Sequence, residues 1–171
     1  MRLYEGSIKE FSDDVIHNRI ADILKDNFFV YYRRLPSEPE YRSWQQSLNF
    51  LNNAFTYSVL VDNKIILEYE LPHSTRRIDV LVFGKNNIDK DSVVMMELKQ
   101  WSNEHVYDCE NDGNIIIDFL GKKEVAHPCL QVEGYHFDLQ DFLSIFNNDD
   151  PVQLNSCTYC HNYSKQKENI L

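Results

Sequence analysis

The chain has 171 residues, of which 27 are acidic and 17 basic, giving a formal net charge of −10, and 43% are apolar. That is the size and composition of one globular domain with a sizeable core, and it argues against disorder. The acidic balance excludes a protein that holds nucleic acid by bulk electrostatics, and no run approaches the roughly twenty apolar residues of a membrane span.

The amino terminus, MRLYEGSIKE, lacks the apolar core of a signal peptide, so a cytoplasmic protein with no membrane association is expected. The first helix is predicted to open at the capping box Ser7-Ile-Lys-Glu10. Phe11, Val15, Ile20, Ile23 and Leu24 follow at mostly helical spacing, and this helix is expected to end between Lys25 and Phe29. A second capping box, Ser37-Glu-Pro-Glu40, opens another helix with Tyr41, Trp44, Leu48, Leu51 and Phe55 on one stripe.

Three strand-like runs come next: Lys64–Leu71, Arg76–Gly84 and Ser92–Trp101. Their short, turn-rich connections, PHST and KNNIDKD, predict an antiparallel meander. The second and third runs are apolar on both faces, which places them inside a sheet covered by helices. Asn103 to His127 is irregular, and Asp112-Gly113 followed by NIIIDFLG predicts a hairpin or small flap. His127-Pro128 starts a third helix with Val132, Tyr135, Leu139, Phe142, Leu143 and Phe146 on one face. Asn-Asn-Asp-Asp-Pro stops it, and Val152 to Tyr163 reads as a final strand. The closing SKQKENIL carries no pattern, which suggests the front part of a longer protein.

Four cysteines are present, Cys109, Cys129, Cys157 and Cys160, and reduced thiols are expected for a cytoplasmic chain. Cys157-Thr-Tyr-Cys160-His161 matches a haem-attachment pattern and half a zinc site. Haem attachment requires export, and zinc needs a second close pair that Cys109 and Cys129 do not form. Both cysteines therefore read as plain strand residues.

The chemistry is concentrated on the strands. In VVMMELKQW, Glu97 and Lys99 are two apart, so they share one strand face about 6.6 Å apart along the chain. Asp79 is the only charge within IDVLVF, and charged side chains are rarely buried without a partner or a metal. If the two strands pair as a hairpin, Asp79 and Glu97 could share a divalent ion, with Lys99 facing developing phosphoryl charge. The plainer alternative is a solvated ion pair on an edge strand, since an Asp followed by Glu-x-Lys arises by chance in many charged chains. Gln131 and Tyr135 are four apart and share a helix face, although Tyr135 also fits the apolar stripe as a core residue. Glu68 and Glu70 lie on one face of the first strand, where either could extend the acidic site or face solvent.

In this order, Asp79, Glu97-Leu98-Lys99 and Gln131-Val-Glu-Gly-Tyr135 resemble the PD-(D/E)XK nuclease superfamily, and the Gln-x-x-x-Tyr element resembles its RecB-like branch. More closely, EYELPHSTRRIDVLVFG, VVMMELKQW and HPCLQVEGY are similar to the nuclease-like domain found ahead of a helicase-type ATPase module in some bacterial proteins. The likeness runs over nearly the whole chain, with Ile78 where the superfamily's name places a proline. It implies an α/β fold with a restriction-endonuclease-like αβββαβ core, an extra N-terminal helix and a small flap. It implies a Mg²⁺- or Mn²⁺-dependent nuclease acting on DNA, with Asp79, Glu97, the Leu98 carbonyl and Glu68 around the metal. Lys99 would be the catalytic lysine, and Gln131 and Tyr135 would orient the site or touch the substrate backbone. Arg76, Arg77, Lys122, Lys123 and His127 are the candidates for gripping nucleic acid. A downstream helicase or ATPase module would keep so acidic a domain on its substrate, and a homodimer could cut two strands. The rival reading is a catalytically silent relative that keeps the fold for binding or scaffolding.

Overall fold

A computed structural model describes residues 1–164 other than 57, 59 and 120, so most of the closing SKQKENIL segment lies outside the described residues. Tyr4–Ser7 forms strand β1, followed by helices α1 (Ile8–Ile16), α2 (Ile20–Tyr32) and α3 (Glu38–Thr56). The meander is β2 (Lys64–Glu70), β3 (Arg77–Lys85) and β4 (Asp91–Lys99). A small insertion, β5 (Val106–Asp108), β6 (Asn114–Asp118) and β7 (Lys122–Ala126), precedes α4 (Pro128–Phe142) and β8 (Gln153–Cys160).

The fold is α/β, with a mixed five-stranded sheet in the order β1-β2-β3-β4-β8 and a separate antiparallel sheet β5-β6-β7. The meander is antiparallel as expected, whereas β8 runs parallel to β4. A parallel partner requires a crossover, and α4 supplies it. Helices α1 to α3 cover one face of the sheet around Phe11, Leu24, Phe28, Trp44, Ile65, Leu67 and Val80. Helix α4 covers part of the other face, where Val132, Tyr135 and Leu139 meet Ile78, Val93 and Met95. Full burial of side chains such as Phe11, Phe28, Ile65 and Met95 contributes about 1.5–3 kcal/mol each.

Both predicted capping boxes form. Ser7 Oγ accepts the Glu10 N–H at 3.1 Å while the Glu10 carboxylate accepts the Ser7 N–H at 2.6 Å. Ser37 and Glu40 make the same exchange at 3.4 and 3.3 Å. The single N-terminal helix, however, is two helices. His17-Asn18-Arg19 breaks it, with Asn18 at φ 56, a left-handed conformation that asparagine enters at low cost. Strand β1 was not anticipated, because Tyr4 to Ser7 is short and merges into the capping box; it pairs antiparallel with β2, Tyr4 opposite Leu67. The hairpin expected around Gly113 carries a third strand. No helix among the described residues is long and apolar enough to cross a membrane.

One irregularity shapes the sheet. In β2, Ile65 and Leu67 face the α1–α3 layer, but Tyr69 faces the α4 layer, so the side-chain alternation reverses between them. In β3, Val80 and Val82 face α1–α3 while Ile78 faces α4. Leu67 pairs with Val80 and Tyr69 with Ile78, so the reversals coincide at Glu68 and Asp79, which stand opposite each other. Glu68 takes φ 53 to make the turn.

Candidate active site

Strands β3 and β4 pair from Lys85 and Asp91 up to Val80 and Met96, and there the pairing stops. Beyond that point β3 continues against β2 alone, and β4 continues against β8 alone through Glu97, Leu98 and Lys99. The two strands form a fork. Asp79 fills it: its Oδ2 accepts the Leu98 N–H at 2.7 Å, replacing the ladder bond that the parting of the strands removes. Leu98 thus meets Asp79 through its backbone N–H.

Three carboxylates converge on the fork from different elements. Glu68 lies on the α3 side, where its Oε1 accepts the Trp44 indole N–H at 2.7 Å and its Oε2 faces Arg77 Nε at 3.1 Å. Glu97 lies on the α4 side and is 4% exposed. Burial pushes the Asp79 carboxyl well above the ordinary range, and the Glu97 and Glu68 charges push it further, while the Leu98 N–H and Lys99 oppose them. Glu68 is pushed up to about 7, chiefly by burial, against the pull of Arg77 and the Trp44 N–H. Carboxyls raised together in this way mark a place where negative charge is held without enough compensation.

On the α4 side, four predicted residues form a closed set of hydrogen bonds. Lys99 Nζ donates to Glu97 Oε1 at 2.6 Å and to Gln131 Oε1 at 3.1 Å. Gln131 Nε2 donates to Glu97 Oε1 at 2.7 Å and to the Tyr135 hydroxyl oxygen at 2.9 Å. Gln131 therefore orients an acid and a base at once, with Tyr135 bracing it one helical turn away. Tyr135 is both things the sequence allowed, buried in the α4 stripe and bonded to the site through its hydroxyl. Burial raises its pKa, so the phenol stays protonated.

The basic candidates divide. Arg76 stands beside the site, its guanidinium 5.4 Å from the Tyr135 ring centre and 2.6 Å from Asp138. Arg77 is committed inward, to Glu68 and to Glu40, over the Phe28 and Tyr32 rings. Lys122 and Lys123 lie exposed on β7, with Lys122 over the Tyr107 ring at 5.8 Å. His127 caps α4, accepting the Cys129 N–H at 3.2 Å, and no hydrogen bond among the described residues ties it to Asp79, Glu97 or Lys99. Glu70 takes the Tyr32 hydroxyl at 3.2 Å and stays out of the fork. Cys157 and Cys160 are free thiols three apart on β8, hence on opposite faces.

Trp44 and Glu40 were missed as site residues. Trp44 reads as one member of the α3 stripe, yet a buried indole N–H needs an acceptor, and that need was the available signal. Glu40 reads as a helix cap and also holds Arg77.

The donor set fits a divalent cation on two observations. Glu97 Oε2 is buried with no hydrogen-bond partner, and Asp79 uses one oxygen on Leu98 in a pocket of excess negative charge. Among the described residues no three His, Cys, Asp or Glu side chains stand as a metal shell, and Arg77 and Lys99 pair with Glu68 and with one oxygen of Glu97. Comparison of the chain with protein-family models, curated proteins and solved structures finds no match.

Proposed function

We propose that this chain is a metal-dependent nuclease domain that hydrolyses phosphodiester bonds of DNA, built on a restriction-endonuclease-like core of α3, β2–β4, α4 and β8. The observation that carries the reading is the bonded set Glu97, Lys99, Gln131 and Tyr135 closing one side of a strand fork that holds Asp79. Asp79 and Glu97 Oε2 would hold Mg²⁺ or Mn²⁺. The cation, when bound, would neutralise phosphate charge and supply an activated water. Lys99 presents its ammonium to charge that develops on the phosphoryl oxygens. Gln131 braces the Lys99–Glu97 pair by bonding both members, and Tyr135 fixes Gln131. Glu68, with both oxygens taken by Trp44 and Arg77, acts through its charge on Asp79. Lys122 and Lys123 are exposed groups that would meet a phosphate backbone, Arg76 would do so beside its Asp138 partner, and a helicase or ATPase module would supply the affinity that a −10 chain lacks.

A second reading, a nuclease-fold module without activity, draws on the 2.6 Å Lys99–Glu97 pair and the Arg77–Glu68 pair, which already neutralise two acids. Calorimetric titration of Mg²⁺ and Mn²⁺ into the wild type and Asp79→Ala, with plasmid nicking in parallel, separates them. The nuclease reading expects saturable binding and nicking that Asp79→Ala removes. No binding in the wild type would leave the silent module standing.

A further inference from the structure

Acidic residues outnumber basic ones by 27 to 17, so carboxylates are plentiful enough to pair every one of the seven arginines. Five of them take one. Arg2 pairs with Glu5, Arg19 with Asp13 and Asp14, Arg42 with Glu38, Arg76 with Asp138, and Arg77 with Glu40 and Glu68. The other two are consecutive. Arg33 and Arg34 are both exposed, and neither forms an ion pair among the described residues.

They sit where α2 ends. Arg33 takes φ 55 and ψ 25, a left-handed conformation that glycine adopts at lower cost. Beyond this turn Arg34 lies back over α2, its guanidinium 4.9 Å from the Phe28 ring centre and 5.8 Å from that of Tyr32. Arg77 stands 5.1 and 5.8 Å from the same two rings. The two cations share one aromatic pair, yet only Arg77 is met by acids. Glu70, the acid at Tyr32, is engaged by the Tyr32 hydroxyl at 3.2 Å.

This place is beside the site. Arg77 lines an open cleft of about 270 Å³ whose walls include Glu68 and Asp79, so Arg34 stands next to the approach to the fork from the α3 side. Arg76 is turned the other way, over Tyr135 on α4. A guanidinium laid on a ring is already held in place, and its N–H groups remain at the rim to donate in plane to two oxygens of a phosphate.

We propose that Arg34, with Arg33 beside it, is a phosphate contact for a nucleic-acid strand on the α3 side of the fork, gripping a backbone phosphate that flanks the one presented to Asp79. The choice of a nucleic-acid phosphate rests on the nuclease reading. The strand then crosses the mouth of the fork between Arg34 at the end of α2 and Arg76 beside α4. A chain of net charge −10 repels a polyanion over most of its surface, so arginines without an acid partner govern much of the affinity it has.

Fluorescence anisotropy of a labelled single-stranded DNA oligonucleotide, titrated with the 171-residue chain in EDTA at low and rising salt, tests the contact without reference to cleavage. Arg34→Ala should weaken binding about tenfold at low salt. It should also make the logarithmic salt dependence shallower by about 0.7, the share of one phosphate on a single strand. Circular dichroism should be unchanged, since the side chain is exposed. Arg19→Ala removes the same charge from a paired arginine on the other side of α1 and α2, and should leave the salt slope as it is. A wild type that binds no oligonucleotide at about 100 µM in low salt, the weak limit of non-specific binding, would overturn the proposal. So would an Arg34→Ala loss no larger than that of Arg19→Ala, or an unchanged salt slope, even with plasmid nicking intact. A wild type that binds through Arg34 and never nicks plasmid with Mg²⁺ or Mn²⁺ would instead refute the nuclease reading and leave the contact standing.

Discussion

The two ends of strand β4 are built for opposite purposes. At one end Val93 and Met95 are buried against α4, and both neighbouring strands pair with β4 throughout. At the other end β3 has left, and Glu97 and Lys99 occupy the positions that Val93 and Met95 hold earlier on the same face. The alternation of β4 is the same along its length; only the partner strand changes. Parting two strands by three residues turns a core position into a site, because the space that a paired strand would fill is given to Asp79. The apolar end provides stability, and the forked end gives some of it up.

The largest effect should come from Asp79→Asn, which separates stability from function. The asparagine oxygen can still accept the Leu98 N–H while the buried charge is gone. Metal binding by calorimetry should vanish and nicking should fall by about 10³-fold or more, a loss of the size seen when a key electrostatic group is removed. Thermal unfolding of the metal-free protein should rise by about 2–4 °C, equivalent to about 1 kcal/mol at this chain length. A fall in melting temperature would mean that the fork is not a place of excess charge.

Met95→Ala should do the reverse. It empties a fully buried position and should cost about 2–5 kcal/mol in urea unfolding, with metal affinity of the folded protein unchanged. Gln131→Ala should sit between them. It frees Lys99 and Glu97 from their shared brace and should reduce metal affinity or nicking by about 10–100-fold, the range for partners that orient ligands, while the melting curve barely moves.

The smallest effect is on pH dependence. Glu68 is raised from its ordinary value of 4.5 to about 7. Between those values the unfolded chain gives up this proton before the folded chain does, so this group's contribution to stability is full below pH 4.5 and is lost as pH rises to about 7. Glu68→Gln keeps an oxygen for the Trp44 N–H and should flatten that part of the stability–pH curve, measured by urea unfolding at several pH values. An unchanged slope would show that Glu68 is ionised throughout.

Much of this was legible from residues. Capping boxes, apolar stripes and short turns located the α3 and α4 helices and the three meander strands, because local pattern and tertiary packing agree there. Gln131 and Tyr135 could be paired from their spacing alone, and the bond between them is present. The break at Asn18 was hidden because the apolar spacing runs on across it. The partners of Glu68 were hidden for another reason: Trp44 and Arg77 are distant in sequence and meet it only because β2 changes phase. No residue type announces a left-handed glutamate in mid-strand, since the conformation costs energy locally and is held by what surrounds it.

That reversal also acts as a key. In a regular hairpin, sliding one strand by two residues keeps every side chain on its own face, so slips of that kind are weakly resisted. Here each strand carries a single phase boundary, at Glu68 in β2 and at Asp79 in β3, and the faces match only when the two boundaries coincide. Any other alignment would turn apolar side chains of one strand outward. The sheet can therefore close correctly in one registration, and that registration is the one in which the two acids stand opposite each other. Assembly of the acid pair is then a condition of folding, and a chain that has folded has already set them in place.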